Sequence, residues 1–154
     1  MTLRKMLLRA NALFLLAAAA GGMSTDLAGA FLGYGPFTTV LSAAPDTAIG
    51  FVEAHGLALI IGCLLWQAET VRKWHLTAAA VHALLGIANL VFWQLFIAAD
   101  MLAMGYVTTS LHGLFFALQL AASAAAQSEL GVSSEAQREI NALSMRNQSR
   151  VKAG

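Results

Sequence analysis

IGFVEAHGLALIIGCLLWQAETVRKWHLTAAAVHALLGIANLVFWQLFIAAD, residues 49–100, contains two apolar runs joined by a short polar turn, Glu69 to His75, that carries Arg72 and Lys73. A ~30 Å hydrocarbon core asks about 20 apolar residues of a helix, and both Ile49 to Ala68 and Leu76 to Ala98 meet that length. Backbone polar groups in lipid must be satisfied within their own segment, so each run is expected to be helical. The turn between them is too short for anything but antiparallel neighbours.

On either side lie two more apolar runs, Met6 to Met23 and Thr108 to Gln127. With four spans and both termini in the cytoplasm, all nine basic residues (Arg4, Lys5, Arg9, Arg72, Lys73, Arg138, Arg146, Arg150 and Lys152) fall on the inner side. The outer connections then hold Asp26, Asp46 and Asp100 and no Lys or Arg. Basic residues near a span resist translocation, so this distribution predicts an N-in, C-in orientation. The expected fold is an all-α, integral membrane four-helix bundle, multi-pass in a bacterial inner membrane. Residues 1–127 form the transmembrane domain and residues 128–154 a polar cytoplasmic tail.

Composition agrees. The 154-residue chain is 58% hydrophobic and 11% charged, against roughly 25% charged residues in an average soluble domain. No room remains for a separate soluble catalytic domain. The basic inner face suits anionic lipids and the bilayer is the expected partner, with other membrane subunits as further candidates. Nucleic acid is not expected as a partner. The single cysteine, Cys63, excludes an internal disulfide. Arg4, Lys5 and Arg9 ahead of the alanine-rich stretch also fit a cleavable signal peptide.

The connection from Ser24 to Ala48 is long and contains Pro36 and Pro45. Its Leu27, Phe31, Leu32, Tyr34, Phe37, Val40 and Leu41 would be costly in water, so it is expected to fold back on the bundle mouth or lie in the interface, as a linker or a lid. In the tail, Ser134 and Gln137 have capping-box spacing, and Ala136, Ile140 and Leu143 form one apolar stripe, which predicts a short amphipathic helix.

Ionisable residues inside a membrane are functional candidates by default. Glu53 and His55 sit on the second span, His82 on the third and His112 on the fourth, with Asn89 and Gln119 near mid-span; His75 falls at the inner boundary, where solvation is expected. Counting about 1.5 Å per residue puts Glu53, His55 and His112 in one outer cluster and His82 roughly 15 Å from His112. Glu53 and His55 lie about 200° apart around the helix and cannot both face the axis. Glu53 shares its face with Gly56, Ile60, Cys63 and Gln67, and His55 shares its own with Leu59, Gly62 and Trp66.

Three uses of this interior compete. The polar groups can simply tie helices together, as in a structural subunit of a larger complex. They can bind a quinone, an isoprenoid or another lipid, with Glu53, His112, Asn89 and Gln119 as contacts; Glu53 and His112 then also offer an acid and a base for a membrane enzyme. Finally, His55 and His112 can serve as axial ligands of a b-type haem in an electron carrier. No short His-x-x-x-His or Cys-His spacing supports a metal-ion site.

The second span reads Glu53-Ala-His-Gly56-Leu-Ala-Leu-Ile-Ile-Gly62, with Arg72 just beyond it. This resembles the DoxX-like group of small bacterial four-helix membrane proteins, in which a glutamate and two glycines recur on one span ahead of a basic inner turn. The resemblance implies an accessory subunit associated with membrane redox or quinone chemistry, and it carries over only Glu53, Gly56 and Gly62.

Overall fold

The computed structural model describes the backbone of residues 2–153 and the side chains of residues 2–126, Arg138 and Asn141. It is all-helical, in the order α1 (Leu3–Leu27), a π-helical turn (Ala28–Leu32), α2 (Thr38–Ala43), α3 (Thr47–Gln67), α4 (Arg72–Val91), α5 (Trp93–Ala98) and α6 (Leu102–Ala153). Among the described residues, four segments are long and apolar enough to cross a membrane: Leu3–Leu32, Thr47–Gln67, Arg72–Val91 and Leu102–Ala126.

The distribution of side chains is that of a protein dissolved in lipid. Leu57, Ile60 and Leu64 on α3, Leu84, Ile87 and Leu90 on α4, and Leu114 and Leu118 on α6 are exposed, whereas Asn11, His75, His82, His112 and Gln119 are buried. A soluble bundle would have the reverse pattern, because apolar surface is expelled from water. With lipid outside, exposed leucine costs nothing and the polar groups must find partners within.

The helices pack as two tight pairs, α1 with α3 and α4 with α6, and α1 also touches α4 and α6. α1 therefore occupies the middle of the bundle and α3 its flank. Leu8, Ala12 and Leu15 of α1 meet Leu65 and Ala68 at the end of α3 and Ala78 of α4 in the apolar core. Gly62 sets the α1–α3 distance: a Cβ there would lie 2.9 Å from Leu16 Cγ and 3.3 Å from the Leu16 backbone nitrogen. The start of α1 lies beside the end of α3, since Lys5 Nζ donates to the Ala68 carbonyl at 2.8 Å and the Arg9 guanidinium sits 4.2 Å from the centre of the Trp66 ring. A cation on the last carbonyls of a helix is favourable for the helix dipole. Lys5, Arg9, Arg72 and Lys73 thus gather at one end of the bundle, called here the basic end.

At the far end the α1–α3 connection is compact. The π turn closes on Gly33 at φ +67°, where the backbone reverses in a conformation that glycine adopts without strain. α2 then folds back so that Leu41 is buried against Gly29, and Phe37 packs on Phe51 with ring centres 5.4 Å apart. Leu41 and Phe37 are thus packed, while Phe31, Leu32 and Tyr34 remain exposed.

Three expected boundaries need correction. The first span does not end at Met23: α1 runs to Leu27 and the π turn to Leu32. The third span does not continue to Ala98: α4 stops at Val91, Phe92 leaves helical geometry, and α5 restarts as a short separate helix. α5 packs against α6 at Gly105, where a Cβ would come within 2.8 Å of Phe96, and Trp93 meets Tyr106 at 4.9 Å between ring centres. The fourth span begins at Leu102, not Thr108, and its backbone stays helical through Ser134 to Ala153, so the short tail helix is a continuation of α6. The capping-box side chains of Ser134 and Gln137 lie outside the described residues.

Candidate functional site

The polar interior forms one connected row. At the basic end, His75 in the first turn of α4 donates from Nδ1 to Gln119 Oε1 of α6, at 2.6 Å. Gln119 Nε2 donates to Asn11 Oδ1 of α1 at 2.9 Å, and Asn11 Nδ2 donates to His82 Nε2 at 2.8 Å. His82 and His112 then meet through their Nδ1 atoms at 2.9 Å. His82 accepts at Nε2, so its neutral ring carries the hydrogen on Nδ1 and donates it to His112. Every hydrogen bond in the row therefore points the same way, from His75 to His112.

Both ends of the row are distinctive. His75 Nε2 is buried and has no hydrogen-bond partner. His112 must hold its own hydrogen on Nε2, and 8% of its surface is exposed. Around the two central imidazoles the walls are aromatic: Phe14 stacks on His82 at 5.9 Å and meets His112 edge-on at 5.6 Å, while Phe115 stacks on His82 at 5.1 Å. Gly86 lets α6 approach α4 at this level, since a Cβ there would touch His112 Cβ at 3.4 Å.

Depth counting from sequence separates His82 from His112; the structure joins them, and the corrected helix boundaries explain why. His82 lies nine residues below the end of α4 at Val91, and His112 ten residues below the start of α6 at Leu102. The two therefore share one level, roughly 13–15 Å from the far end. His75 is likewise buried in the bundle and not solvated at its boundary.

The outer cluster of Glu53, His55 and His112 does not form. His55, not Glu53, faces α1, and its Nδ1 pairs with Asp26 Oδ2 at 2.5 Å. Asp26, expected in an outer loop, is fully buried in the last turn of α1, and its Oδ1 has no partner. The His55 ring occupies the space a side chain at Gly22 would take. Glu53 consequently lies on the exposed face of α3, away from the row. The small residues choose the face: Gly62 admits Leu16 of α1, and His55 shares that side of α3.

Asn89 donates to Thr108 Oγ1 at 3.2 Å, a separate α4–α6 contact above the row. Gln119 is a full member of the row. Asn11 and His75 are members that the sequence reading did not single out. A lone Asn within an apolar run was the available signal, because such a side chain needs a partner in lipid. His55 and His112 belong to separate contacts: His55 pairs with Asp26 on the α1–α3 side, and His112 meets His82 between α4 and α6. Among the described residues no group of three or more His, Cys, Asp and Glu is arranged to hold a metal ion.

Compared with known protein families, characterised proteins and solved structures, the chain shows no match. The functional reading therefore rests on the row and its surroundings.

Proposed function

We propose that the protein is an N-in, C-in accessory subunit of a bacterial inner membrane that serves proton-linked redox chemistry, with the row from His75 to His112 as its working part. Four hydrogen bonds aligned in one direction carry this reading. A proton arriving on the free His75 Nε2 meets donors that all aim at His112. Each can pass its hydrogen forward: His75 Nδ1–H to Gln119, Gln119 to Asn11, Asn11 to His82, and His82 Nδ1–H to His112, which releases its Nε2–H. One proton enters, one leaves, and the row is left pointing backwards. An amide relays a proton only through its imidic acid form, so the two amides make the row slow; before another passage both must return to the amide form and the three imidazoles to their starting tautomers. Such a device suits coupling between helices more than bulk conduction.

The gathering of Lys5, Arg9, Arg72 and Lys73 at one end supports the orientation. The resemblance of residues 53–62 to DoxX-like proteins supports the redox setting, in which a quinone would be supplied by a partner. Glu53 lies on the exposed face of α3 and His112 inside the bundle, which weighs against a self-contained acid–base enzyme. The test is the protein reconstituted in vesicles with an entrapped pH dye and an imposed potential. The expected result is slow proton entry above that of empty vesicles, abolished by His82→Phe. Entry equal to that of empty vesicles, or unchanged by His82→Phe, would refute the relay.

A further inference from the structure

On the surface away from the polar row, α1 and α3 leave a shallow groove of about 220 Å³ lined by Leu13, Leu16, Cys63, Trp66 and Gln67. Leu13 and Leu16 follow Arg9 at four and seven residues, so all three lie along one side of α1. The groove therefore runs from an apolar trough to a cation at the basic end, where the Arg9 guanidinium rests on Trp66. Arg9 is about 9 Å into its helix at 1.5 Å per residue. Its Nε is buried without a hydrogen-bond partner, and among the described residues no carboxylate pairs with it. A guanidinium within a span is costly unless it reaches the interface or meets an anion. Stacking on an indole face offsets part of that cost but leaves the buried Nε–H without an acceptor.

The geometry points to a specific site for one anionic glycerophospholipid. Its phosphate would meet Arg9, its glycerol region the exposed Gln67, and one acyl chain would lie along Leu13, Leu16 and Cys63. The volume is below the ~300–1,000 Å³ of pockets that enclose drug-sized ligands, which suits part of a flexible chain and not a compact ring system. A planar guanidinium also binds phosphate through paired N–H donors better than an ammonium does. Lys5 directs its Nζ to the Ala68 carbonyl at the end of α3, whereas Arg9 lies on Trp66, which lines the groove, so Arg9 is the cation at the groove. The assignment is independent of the proton relay.

The full chain, purified in mild detergent and mixed with equal amounts of phosphatidylglycerol and phosphatidylcholine, can be examined by native mass spectrometry. One phosphatidylglycerol per chain should be retained about fivefold over phosphatidylcholine, the ratio that ~1 kcal/mol per basic residue implies. Arg9→Gln should remove the preference. Cys63→Trp, which fills the trough and leaves every charge in place, should remove the bound lipid. Lys73→Gln, at the same end but outside the groove, should change neither. A preference that survives Arg9→Gln, binding that survives Cys63→Trp, or equal losses in Lys73→Gln and Arg9→Gln would each overturn the site in favour of diffuse attraction. Helix content by circular dichroism guards against misfolding, and if Arg9→Gln fails to fold, Cys63→Trp decides alone.

Discussion

Replacing Asn11 by Leu tests whether the polar row holds the bundle together. Leu has the same branching and heavy-atom count as Asn and is somewhat larger, so no cavity is opened. Asn11 is fully buried, donates to His82 Nε2 at 2.8 Å and accepts from Gln119 Nε2 at 2.9 Å. The substitution deletes both bonds and strands two groups in the interior, an imidazole lone pair and an amide N–H. Interhelical hydrogen bonds in membranes contribute ~0.6 kcal/mol on average, but a buried group left without its partner costs about 1–3 kcal/mol. With two groups stranded, and with some relaxation of the freed Gln119, the loss should be about 2–4 kcal/mol. Unfolding in mixed micelles with increasing dodecyl sulfate, followed by circular dichroism, measures it. Leu13→Ala, at a side chain 55% exposed to lipid, is the control and should cost no more than about 0.5 kcal/mol. A cycle with His82→Phe should give a coupling of about 0.5–3 kcal/mol. If Asn11→Leu behaves like the control, or the two changes are additive, the row does not bind α1 to α4 and α6.

Gly62→Val should destabilise by about 1–3 kcal/mol by driving α3 away from Leu16, whereas Gly21→Ala, with nothing within 4 Å of the added carbon, should be neutral or gain up to about 1 kcal/mol in the same assay. Nitrogen-15 spectra of histidine-labelled protein should find His75 and His82 protonated at Nδ1 and His112 at Nε2; mixed directions among the three would break the one-way row. Gly22→Ala should displace the His55 ring and leave Asp26 unpaired, read as loss of the strongly hydrogen-bonded His55 resonance. A reporter fused after Tyr34 should report the side opposite the cytoplasm, and a cytoplasmic signal there would invert the orientation.

The four spans were legible because a lipid-facing helix advertises itself through length and apolarity alone. The site was less so, and the errors trace to particular residues. Phe92 is as apolar as its neighbours, so nothing in the run from Leu76 to Ala98 marks the break that lowers the end of α4. Moving that end and the start of α6 shifts the relative level of His82 and His112, which is why they meet. For α3 both faces were readable, one with Glu53 and one with His55, Leu59 and Gly62. The side with Glu53 has the more conspicuous charge, but helix contact is decided by how closely backbones approach, and Gly62 settles it. Asp26 lies beyond the apolar run that ends at Met23, which on sequence alone places it in a loop; its partner, His55, lies 29 residues away and only the fold shows the pairing.

Asn11 and Gln119 are separated by 108 positions, which has a consequence for biogenesis. At about 5–20 residues per second of translation, α1 waits roughly 5–20 s in or beside the translocation machinery before Gln119 is even made. During that interval the Asn11 side-chain carbonyl lacks its Gln119 donor, and the helix that ends in the middle of the bundle has no completed bundle to join. The earliest-made span, free to pair with α3, thus keeps its polar face open until α6 is made, and the nascent chain offers a timed opportunity for an insertase or an assembly partner to hold α1 by the same face that later closes on His82 and Gln119.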